Sequence, residues 1–97
     1  MNAAELRDRV SSKLLNEINE VQFPSTAMLN RVEATLQDRE ALASYVEVLI
    51  EKVEATRFPS VDLLNRIDRM TARLEQEERR EREAAAARES YDGSYDE

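Results

Sequence analysis

Apolar residues recur at spacings of three and four along most of the chain, and that spacing predicts helices. Between residues 3 and 22, Leu6, Val10, Leu14, Ile18 and Val21 form one stripe, widened by Leu15, with Arg7, Arg9, Lys13, Glu17 and Glu20 off it. The stripe ends before Phe23-Pro24, because a residue preceding proline is pushed out of the α region. From Thr26 to Arg57 there is neither Gly nor Pro. The apolar positions there follow a seven-residue period through Leu29, Val32, Leu36, Ala43, Val46, Ile50 and Val53. Met28, Leu42 and Leu49 flank this seam on one side, and Glu33, Glu40, Glu47 and Glu54 flank it on the other.

The run Gln37-Asp38-Arg39-Glu40 interrupts the seam. The pattern favours one continuous helix of about 30 residues, roughly 45 Å long. A break near residue 38, with Asp38 capping a new helix, is the alternative. A further helix starts at Val61 and carries Leu64, Ile67, Thr71 and Leu74, with Leu63 and Met70 beside them. After Leu74 the apolar pattern stops. The pairs Glu75–Arg79 and Glu78–Arg82 and the run Ala84–Ala87 still favour helix, so it is expected to project beyond a bundle. Residues 90–97 hold the only Gly and are expected to be disordered.

Two stretches repeat. Phe23-Pro24-Ser25 recurs as Phe58-Pro59-Ser60, and aligning 14–33 on 49–68 gives seven identities in twenty, among them Asn30/Asn65 and Arg31/Arg66. In each copy proline ends one helix and aims the next, while serine offers its hydroxyl to the first-turn amides. The offset of 35 residues is five heptads, so the seam keeps its phase. The expected fold is therefore all-α. It is an antiparallel bundle of three helices with a long central one, made from two helix–corner–helix units at 3–37 and 38–72, or of four helices if the middle one breaks. The bundle domain covers 1–74, and 75–97 is a charged extension and acidic tail.

If both outer helices lie along one central seam, each covers only half of it. Leu29, Val32, Leu36, Leu42, Val46, Leu49, Ile50 and Val53 then form a seam that a second copy would close. A homo-oligomer is expected for that reason, and because a core with 5% aromatic residues and no Trp is thin.

Charge narrows the function. The net charge is −7, and most of it lies in the tail: residues 1–74 hold 12 acids and 10 bases, residues 75–97 hold 9 and 4. A nearly balanced bundle argues against nucleic-acid binding, which needs a basic face. With no His and no Cys there is no imidazole base, thiol nucleophile, thiolate metal site or disulfide, and the single Gly leaves no phosphate-cradling loop. An enzyme is not expected, nor is a cofactor or a metal. No apolar run is long enough for a membrane span, and the early charges do not read as a secretory signal, so the expected location is the cytoplasm. The bias of Arg over Lys and the Ala content hint at a GC-rich genome, and the size suits a bacterial or phage accessory protein.

The polar repeats are the candidate contacts. Arg31 and Arg66, with Asn30 and Asn65 beside them, would either meet a carboxylate or phosphate or brace the corners, Asp62–Arg66 being a spacing-four pair. Phe23 and Phe58 are expected mainly to plug the bundle ends, with exposed anchors for a partner as the alternative. The glutamate column reads as a solvated row. Ala34, Ala41, Val48 and Ala55 form a small-residue stripe that reads as good helix formers on a solvent face, with a second interface as the alternative. Taken together, the residues suggest a self-associating, non-enzymatic protein–protein interaction module such as an adaptor, assembly factor or inhibitor. The alternatives are a binder of a small anionic ligand such as a nucleotide, and an acidic regulator of a nucleic-acid-binding protein.

Overall fold

The computed structural model describes the backbone of residues 1–93 and the side chains of residues 1–89. All regular structure among them is helical: α1 Ala3–Glu20, α2 Thr26–Thr35, α3 Arg39–Ala55 and α4 Val61–Gly93. The continuous central helix does not form. Asp38 takes an extended backbone, and its carboxylate accepts from the Ala41 amide at 2.8 Å, so it caps α3 and separates it from α2. The break falls at the boundary expected between the units 3–37 and 38–72. Each helix start has such a cap: Asn2 accepts from the Glu5 amide, Ser25 from Met28 at 3.2 Å and Ser60 from Leu63 at 3.0 Å. At the first start the Asn2 side-chain amide Nδ2 also donates to the Glu5 carboxylate at 3.1 Å.

The C-terminal ends follow from what the chain lacks. A helix often stops on a glycine in the left-handed region, but the only Gly lies at position 93. No described residue has positive φ. The chain instead leaves α1, α2 and α3 through extended residues Val21, Leu36 and Thr56. Neither α1 nor α2 has a basic residue in its last turn, and both borrow one. Lys52 of α3 donates to the carbonyls of Val21 (2.5 Å) and Asn19 (3.3 Å). Arg73 of α4 donates to the carbonyl of Leu36 at 2.8 Å. Both cations meet the negative end of a helix dipole. Burial pushes the Lys52 ammonium below its usual pKa, so the contact is made against a desolvation cost.

The helices pack in a chain of neighbours. α1 lies against α2 and α3, and α3 lies along α4. The core joins Ile18 of α1, Leu29 and Val32 of α2, Leu36 at its end, and Leu42, Tyr45 and Leu49 of α3. Leu63, Ile67, Met70 and Leu74 of α4 close it as partly buried cover. Most of the expected seam is inside the monomer: Leu29, Val32, Leu36, Leu42, Val46 and Leu49 are buried. Ile50 is exposed and Val53 half-buried. A heptad carried unbroken from α2 predicts 43, 46, 50 and 53 inside. The break resets the phase, and α3 turns Leu42, Tyr45, Val46 and Leu49 inward.

Other expectations shift for the same reason. Ala41 and Val48 of the small-residue stripe pack against the core instead of offering a second interface, while Ala34 and Ala55 are exposed. Arg39 opens α3, and its guanidinium reaches Glu78 and Glu81 of α4 at 3.9 and 3.5 Å. α4 therefore stays alongside the bundle past Leu74 and projects only beyond about residue 81. It also remains helical through Gly93, four residues into the segment expected to be disordered; the rest of that segment lies outside the described residues. No helix among the described residues is long and apolar enough to cross a membrane.

Candidate functional site

The two hairpins place their corners at the same end of the molecule. Phe23-Pro24 and Phe58-Pro59 line one groove of about 350 Å³, floored by Leu29, Leu63 and the stem of Lys52. The rings do not plug the bundle ends as the sequence suggests. Phe23 is 71% and Phe58 83% exposed. Proline at the next position pushes each Phe out of the α region, and the core beneath is already occupied by Leu29. The Arg57 guanidinium stands 5.6 Å from the Phe58 ring centre, within range of a cation–π contact.

Behind the groove runs a buried polar chain. Asp62, on the groove wall, accepts from Arg66 Nε at 2.8 Å. Arg66 Nη1 donates to Glu33 Oε2 at 2.7 Å, and the Tyr45 hydroxyl donates to the same oxygen at 2.5 Å. Arg66 is 3% exposed and Tyr45 fully buried. Burial opposes the charge on Arg66, but the hydrogen bonds to Asp62 and Glu33 outweigh it and raise its pKa further. Burial first, and then the hydrogen bond to the Glu33 carboxylate, push the Tyr45 phenol well above its ordinary value. Among the described residues the backbones of α2 and α4 make no close approach. The Glu33–Arg66 ion pair and the Arg73 cap therefore tie them together.

This arrangement divides the sequence candidates. Arg31 is exposed and Arg66 buried, so the repeated Asn-Arg pairs are not equivalent sites. Arg66 braces the corner, as the Asp62–Arg66 spacing suggested, and has no surface for a ligand. Asn30 and Asn65 are exposed and carry no side-chain hydrogen bond among the described residues. Glu33 leaves the solvated row to which the column assigned it, while Glu40, Glu47 and Glu54 stay exposed. Tyr45 was missed altogether, because it falls between the heptad positions of the unbroken seam. Of the candidates only Arg66 is enclosed; Phe23 and Phe58 are the ones that the fold leaves exposed side by side on one groove.

No group of three or more acidic residues among the described ones is placed to hold a metal ion. No protein-family model, curated protein or solved structure matches the chain.

Proposed function

We propose that this chain is a small, non-enzymatic, self-associating helical interaction module, of the adaptor, assembly-factor or inhibitor kind, built by tandem duplication of a helix–corner–helix unit. The observation that carries the proposal is the corner end, where the chain's only two Phe residues stand exposed on one groove. Exposed aromatic rings cost solvation free energy, and aromatic residues with Arg dominate binding hot spots. Val61 beside the groove, and Leu6 and Val10 at the start of α1, add apolar surface. The half-covered spine no longer supports oligomerisation, since the seam closes within the monomer. The exposed apolar positions now support it instead. A nucleotide-type ligand held by paired arginines is not favoured, because Arg66 is enclosed by Glu33 and Asp62.

Mass by light scattering at about 100 µM tests the reading. A dimer or higher species is expected, and Phe23→Ala with Phe58→Ala should shift it toward monomer without changing the helical circular dichroism. A monomer mass for the wild-type chain at that concentration would refute the proposal.

A further inference from the structure

We propose that the corner groove receives residues 90–97 of a second copy of the chain. The inference rests on the self-association reading and adds which two surfaces meet.

The groove defines the chemistry of its occupant. Its accessible faces are the two Phe rings. The Arg57 guanidinium sits over one of them. The groove is flanked by the starts of α2 and α4, which leave first-turn amides and the positive ends of two helix dipoles. The one carboxylate on its wall, Asp62, is already held by Arg66 at 2.8 Å, and Lys52 is turned to the end of α1. Aromatic rings carrying neighbouring carboxylates complement that surface. Residues 90–97, Ser-Tyr-Asp-Gly-Ser-Tyr-Asp-Glu, hold two tyrosines and three acids and no base.

Geometry rules out the chain's own groove. α4 starts at the groove and runs away from it. From Val61 to Glu89 it covers roughly 43 Å at 1.5 Å per residue. Eight residues span at most about 29 Å even when fully extended, and the first four of the following eight continue the helix away from the groove. A second copy removes the difficulty. If two α4 helices lie antiparallel, the end of one arrives beside the start of the other, where the groove opens. The pairing is twofold, so both grooves fill and the assembly closes as a dimer.

The test uses the full chain in sedimentation equilibrium. A tail variant, Tyr91→Ala with Tyr95→Ala, and a groove variant, Phe23→Ala with Phe58→Ala, should each weaken self-association by at least about tenfold. Mixed in equal amounts, the two variants should recover a 1:1 complex, because one intact tail then meets one intact groove. If the tail variant associates like wild type while the groove variant does not, the groove pairs with something other than the tail. The proposal then fails and self-association stands. If neither variant nor their mixture differs from wild type, the proposal fails as well. If wild type is monomeric, both fall.

Discussion

The two corners share a sequence and a local geometry, yet they sit in different surroundings. In each, Pro aims the helix and Ser caps it through the amide three residues on. Beyond that turn they diverge. Leu29 is 3% exposed and its counterpart Leu64 is 40% exposed. Arg31 lies in solvent, whereas Arg66 lies inside, bonded to Glu33 and Asp62. α2 turns its apolar stripe into the middle of the core. α4 lies outside on α3, burying its stripe partly and using an arginine to reach α2. Equal sequences thus dictate equal turns, and position in the bundle assigns unequal roles. A repeated polar residue is not by itself a pair of sites.

The largest expected break in this comparison is at the arginines. Glu33→Ala leaves the Arg66 charge buried with half its partners and should cost about 3–5 kcal/mol in urea unfolding. Arg66→Ala should cost a similar amount, while Arg31→Ala should stay within about 0.5 kcal/mol. Equal effects of the two arginine substitutions would contradict the asymmetry. Next are the leucines: Leu29→Ala should lose about 2–4 kcal/mol, and Leu64→Ala less than about 1 kcal/mol.

A pH titration sharpens the same point. The folded state holds the Tyr45 proton more tightly than the unfolded chain does. Its contribution is therefore complete below the ordinary phenol pKa of about 10 and is lost as pH rises above that value. Tyr45→Phe should flatten the alkaline fall in stability, measured as melting temperature between about pH 9 and 11. If the fall persists unchanged, Tyr45 is not the group responsible.

The smallest effects concern helix ends. Asp38→Ala should cost about 1 kcal/mol, as should Ser25→Ala and Ser60→Ala. Lys52→Met keeps the packed stem but removes the cap on α1, and should cost about 1 kcal/mol. Loss of helix signal confined to no more than a turn would accompany each.

Much of the local structure was legible in the chain. Both Phe-Pro-Ser corners, the caps Ser25 and Ser60 and three of the helix starts follow from backbone chemistry within a few residues. The break at Asp38 was visible as an alternative. A continuous apolar period outweighed it on paper, because Val46, Ile50 and Val53 fit the seam as well as Leu42 and Leu49 do. The candidate site was less legible. Phe23 and Phe58 were named, but burial was expected of them. Glu33 looked like one member of a charged row, and Tyr45 carried no signal at all.

The sequence by itself determined that the chain is helical and, at the two Phe-Pro-Ser corners, where it turns and how the next helix begins, since those depend on dihedral preferences and on hydrogen bonds within one turn. It also made glycine-based helix ends impossible before residue 93. The tertiary structure alone decided which equivalent residue goes inside. Lys52 reaching Val21, Arg73 reaching Leu36 and Arg66 reaching Glu33 span 31 to 37 residues. Such pairings depend on which helix faces which. Local propensities leave that choice open, and it is settled by the close packing of Ile18, Val32, Leu36, Leu42 and Leu49 into one core.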